Sequence, residues 1–127
     1  MNQKRLVIET GTGIDQHGQD ATAAAARAVR DAVSRVSIVG LLEVFELGDL
    51  NEMLVDVLIA CPRPGEVNTD LVLEALPFGQ KNIRVVEGGM VVHGHSIESL
   101  GDSSDEIIIA NAAITVSIDI DRTVLKR

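Results

Sequence analysis

The sequence predicts an α+β domain of order β-α-β-β-α-β-β, a mixed sheet with two helices on one face. Three observations carry that prediction. Residues 107–120 form a long apolar run. Its second half alternates, with Ile114, Val116, Ile118 and Ile120 on one face and Thr115, Ser117 and Asp119 on the other. Between Asp20 and Val36, the residues Ala21, Ala25, Ala28, Val29, Ala32, Val33 and Val36 recur at helical spacing. The chain has 127 residues and is 46% hydrophobic, yet its only aromatics are Phe45 and Phe78. That length is one domain's worth, 1–127, with a core built from Val, Ile, Leu and Ala.

In chain order, Leu6–Thr10 reads as a short strand and Gly11–Gly18 as a glycine-rich loop. Asp20 is a good N-cap for the helix that follows. Four alanines in a row, Ala23 to Ala26, leave so little bulk that this helix can lie very close to a sheet or to another chain. Ile38–Leu47 reads as a strand and Gly48–Asn51 as a turn. Met53–Cys61 is the returning strand of an antiparallel hairpin. Pro62-Arg63-Pro64-Gly65 breaks the chain. A second helix runs from about Asn68 to Leu76, capped by Asn68 or Thr69 and stopped at Pro77-Phe78-Gly79. Ile83–Glu87 and Met90–Val92 read as strand, bent at Gly88-Gly89. Gly94–Glu106 is a polar loop whose acids, Asp102, Asp105 and Glu106, are expected to be solvated.

The charge balance, 11 basic against 19 acidic residues for a net −8, argues against nucleic acid and against an anionic membrane surface. No leader peptide and no spanning segment is read from the chain. Cys61 is the single cysteine, so no intrachain disulfide can form; it reads as a small core residue at a strand end. Together these suit a cytoplasmic protein. Two short helices cover only one sheet face. The expected partner is therefore a second copy of the chain, a homo-oligomer packed sheet face to sheet face. The alternative is a ferredoxin-like monomer with a less apolar open face.

The candidate site is the loop Gly11-Thr12-Gly13-Ile14-Asp15-Gln16-His17-Gly18. Gly11, Gly13 and Gly18 permit close backbone approach and expose amides to a ligand. Asp15 and His17 stand two apart. They can act as base and orienting acid, or hold zinc, manganese or iron. A divalent metal is thus a candidate cofactor. His93 and His95 are the only other imidazoles available to complete such a site. Asn111, in a strand among alanines, is a further ligand-binding candidate because its small neighbours leave room.

The motif G-T-G-I-D-Q-H-G resembles that of a small uncharacterised family defined by an N-terminal G-x-G-x-D-x-H-G pattern. Gly11, Gly13, Asp15, His17 and Gly18 match it position by position. The run Gly11-x-Gly13-x-Asp15-x-His17 is also similar, over fewer than ten residues, to the first zinc-ligand segment of the cyclodiphosphate synthases. The layout of glycine-rich loop, Ala/Arg helix and Asp-x-x-Ile-x-Cys-Pro strand end is similar to one repeat of the cyanuric acid hydrolase and barbiturase amidases. These likenesses imply a chorismate-mutase-like fold, assembled as a trimer, with sites between units. The amidases' catalytic Ser and Lys have no counterpart here, so amidase activity is not carried over. The resulting expectation is small-molecule or metal binding at an inter-subunit cleft, with hydrolase or lyase chemistry open. The alternative is a non-catalytic anion-binding or assembly module.

Overall fold

A computed structural model describes residues 2–17 and 19–125. The elements are β1 (Gln3–Asp15), α1 (Ala21–Val33), α2 (Val39–Glu43), β2 (Phe45–Glu46), β3 (Leu54–Cys61), α3 (Thr69–Leu73), β4 (Gln80–Glu87), β5 (Met90–His93), β6 (Glu106–Asp119) and β7 (Val124–Leu125). The main sheet has the order β1-β6-β3-β4, with β5 added to the first residues of β6. β6 is antiparallel to β1, β3 and β5, while β3 and β4 are parallel. β1, β3, β4 and β5 therefore all run one way, and their carboxyl ends lie along one rim.

The α+β class and the single helical face are as expected. The α1 face of the sheet is closed by Val55, Val57, Ile59 and Cys61 of β3 and by Ile108, Ala110, Ile114 and Val116 of β6, all buried. Alternate residues of the same strands face away. On that open face Ile8 of β1 is 60% and Met90 of β5 56% exposed. The caps behave as read: Asp20 Oδ1 accepts from Ala23 N and Asn68 Oδ1 from Leu71 N. The chain also turns at Gly88-Gly89, where Gly89 takes φ +63°. Among the described residues no helix is long and apolar enough to cross a membrane.

Three local readings are corrected. Residues 38–47 are not a strand: α2 and the two-residue β2 occupy them, and β2 pairs with β7. Ile38, Leu41, Leu42 and Phe45 stand at helical spacing, and only Leu41 is fully buried. The sheet positions beside β3 are already taken by β6 and β4, so no hairpin with 38–47 forms. β1 continues through Gly11 to Asp15, paired with Ala112 to Ile108, where a loop was expected. Ser117 and Asp119, placed on the face opposite Ile114, are both buried, and Asp119 Oδ1 accepts from Asn2 N and Asp121 N as the strand ends. The third correction concerns the acids of the 94–106 loop.

Candidate functional site

From Val7 to Asp15 the odd-numbered residues of β1 point under α1, which fixes what each may be. A Cβ on Gly13 would sit 2.0 Å from Ala24 O and 2.3 Å from Ala28 N. One on Gly11 would sit 2.2 Å from Ala28 O and 2.5 Å from Ala32 N. Both φ values are negative, so these glycines serve close approach rather than a turn. The alanine run of α1 is the matching surface, as its lack of bulk suggested.

Asp15 is the next inward residue, and it is buried. Its Oδ2 accepts from Asp20 N at 2.7 Å and its Oδ1 from Arg27 Nη1 at 2.8 Å. Arg27 also donates to Ile14 O at 2.8 Å. Both carboxylate oxygens are thus committed to joining the end of β1 to the start of α1.

His17 has a different partner. Its Nδ1 lies 2.9 Å from Asp102 Oδ1, and the Asp102 side chain is 0% exposed against 38% for His17. Asp102 Oδ2 accepts from Ile97 N at 2.7 Å. That backbone N–H, then the His17 ring, hold the Asp102 carboxyl below the usual carboxylate range, against the opposing effect of burial. An ionised carboxylate can only accept, so Nδ1 must carry the proton. In the neutral ring Nε2 is then the lone-pair nitrogen left for a ligand. Gln19, at φ +48°, clamps the same loop. Its Oε1 accepts from Ser103 N and Oγ, and its Nε2 donates to Ser104 O and Glu106 O.

The three acids expected to be solvated therefore each take a base from another element, because the 94–106 loop folds back over the rim. Asp102 holds His17, Asp105 lies 3.1 Å from His93 Nδ1, and Glu106 lies 3.3 Å from Arg63. These groups gather where β1, β3 and β5 end, the side of a parallel arrangement where ligands bind most often. His93 is 69% exposed, and Asp105 raises its pKa from the ordinary histidine value. His95 is exposed on the adjoining loop. Among the described residues no three His, Cys, Asp or Glu side chains converge as a metal site within one chain. Asn111 lies on the opposite, open face. There it accepts from Thr12 Oγ1 at 3.3 Å and borders a depression of about 280 Å³ with Thr10, Leu58, Ala60 and Ala113. Gly18 lies outside the described residues. Asp102 and Gln19 were missed from sequence, since nothing local marks a partner 85 residues away.

A sequence profile of the Lin0512 family of conserved hypothetical proteins matches residues 5–116, from β1 nearly to the end of β6. The chain belongs to this family. The chain is also similar to a crystal structure from Nostoc punctiforme PCC 73102, described as an FtsZ-like protein of unknown function. The two share 47% identity with a TM-score of 0.84, over 94% of this chain and 98% of that one. No curated protein matches this chain.

Proposed function

We propose that the protein binds a small polar ligand at the rim where β1, β3 and β5 end, with His17 as the group that exchanges a proton with it. The observation that carries this reading is the His17–Asp102 pair. A buried, ionised carboxylate fixes the ring and its tautomer, and a partly open Nε2 faces outward chemistry. Asp15 and the two glycines support the site from beneath by fixing β1 against α1. The rim is open in one chain, which suits a cleft completed by a second subunit of a homo-oligomer. The helix-free sheet face, with Ile8 and Met90 exposed, favours such self-association, and a trimer is the expected form. The pairing of a carboxylate with a histidine also suits the outer shell of a metal ligand. A divalent metal shared between subunits is the second reading.

Diethyl pyrocarbonate labelling with peptide mapping tests the first reading. His17 should acylate severalfold faster in the native protein than in Asp102→Asn. Equal rates, with ¹⁵N spectra showing no preference for the Nδ1-protonated ring, would overturn it. Zn²⁺ titration of the wild type and of His17→Gln tests the second; indistinguishable isotherms would end it.

A further inference from the structure

β1 is an edge strand, and its outer backbone groups are not left bare. The N–H and C=O groups of Thr10, Thr12 and Ile14 point away from β6, and four of them are bonded by side chains. Arg27 Nη1 donates to Ile14 O at 2.8 Å. Asp31 Oδ2 accepts from Thr12 N at 2.8 Å. Arg35 Nη2 donates to Thr10 O, and Glu9 Oε1 accepts from Thr10 N at 3.0 Å.

The spacing explains the match. Arg27, Asp31 and Arg35 are four residues apart, about 6 Å per step along a helix. Ile14, Thr12 and Thr10 are two apart, about 6.8 Å per step along a strand. α1 runs antiparallel to β1, so one series meets the other in reverse order. Gly11 and Gly13 let the helix sit low enough for these side chains to reach over the edge. The side chains also brace one another. Arg35 forms a two-pronged pair with Asp31 at 2.9 and 3.1 Å, and its Nε lies 3.7 Å from Glu9.

We infer that Glu9, Arg27, Asp31 and Arg35 form a guard that closes the β1 edge to strand addition by a second copy of this chain. An unguarded edge of this length, beside the exposed Leu6, Ile8 and Ile14, is a template for pairing with its own kind. The polar ladder occupies four of the six donors and acceptors that Thr10, Thr12 and Ile14 would offer to such pairing. It also places four ionic side chains where an incoming strand would lie.

The test is Asp31→Ala/Arg35→Ala, which uncovers Thr12 N and Thr10 O without touching Asp15. Sedimentation velocity from 5 to 200 µM should show the weight-average mass rising at least twofold above the wild type, with added strand signal in the infrared. A double variant that melts cooperatively and sediments as the wild type throughout that range overturns the inference. Should the double variant fail to fold, hydrogen exchange on the wild type decides. A Thr12 amide at least tenfold slower than an exposed loop amide supports the guard, and a freely exchanging one refutes it.

Discussion

The two halves of the segment Gly11–His17 share one motif but have opposite surroundings. Gly11, Gly13 and Asp15 face inward, and every one of them is accounted for by the packing of α1 on β1. His17 lies past the strand end, where its partner comes from a distant loop and its ring is partly open. A motif that reads as one chemical unit is therefore divided by the fold. Its first part makes the scaffold, and its last part is the group proposed to meet a ligand. The difference teaches that spacing of two places residues on the same side only while the strand lasts. Beyond Asp15 the chain turns, and side chains two apart no longer share a neighbour.

The sharpest way to break this comparison is at Gly13. Adding one methyl in Gly13→Ala forces α1 off β1, since backbone atoms stand 2.0 and 2.3 Å from the new carbon and cannot rotate aside. The expected cost is about 3 kcal/mol or more, read as a fall in denaturation midpoint. Gly65, with nothing within 4 Å of its would-be Cβ, is the control and should accept Ala with little change. A Gly13→Ala variant as stable as the wild type would mean the glycines are there for a ligand.

Asp15→Ala should come next. It leaves Asp20 N and Arg27 without their buried acceptor, a loss of about 1–3 kcal/mol. The contrast with His17→Ala is the measurement that matters. His17 is partly exposed and its removal should shift stability by less than the Asp15 change. Equal losses would erase the division between scaffold and rim.

Much of the scaffold was legible because its signals are local. The alternation of residues 114–120 gave β6, the Asp20 and Asn68 caps gave the helix starts, and Gly88-Gly89 gave the bend. The alanine run opposite two glycines pointed to close packing, although the glycines themselves read as a loop. What failed depended on tertiary context. Residues 38–47 carry apolar residues that satisfy helix and strand spacing alike, and the sheet had no vacant place for them. The acids of residues 102–106 read as solvated because their partners, His17, His93 and Arg63, come from other elements. The i,i+4 spacing of Asp31 and Arg35 was visible, but nothing in the sequence said that their targets were backbone atoms.

Asp102 sharpens the comparison through pH. Its carboxyl is held below the usual range in the folded state, first by Ile97 N–H and then by His17. A depressed carboxylate adds stability above its unfolded value, about 3.9, and loses it as pH falls through the folded value. Urea midpoints of the wild type and Asp102→Asn should therefore lie furthest apart from pH 5 upward and converge toward pH 2. Asp31 and Asp119 are depressed as well, but they are common to both proteins and cancel in the difference. A gap that stays constant across this range would show that the Asp102 carboxylate is not what ties the loop to His17.

The smallest expected effect lies at His93, the rim's most exposed pair. The hydrogen bond that His93 donates to Asp105, then the charge of that carboxylate, raises the His93 pKa above the ordinary histidine value. The sign is the reverse of the Asp102 case. A raised imidazole adds stability that is fully present below the unfolded value, about 6.5, and disappears as pH rises through the folded one. The wild type should therefore gain slightly on His93→Gln as pH falls from 8 to 6. His93 is 69% exposed and Asp105 46%, so solvent screens the pair and added salt should shrink the gain further. His17→Gln, compared with the wild type at one fixed pH, removes a ring whose partner is fully buried, so the stability it costs should resist salt. If 0.5 M NaCl suppresses both equally, burial does not set the two rim histidines apart, and the preference for His17 as the working group loses its physical basis.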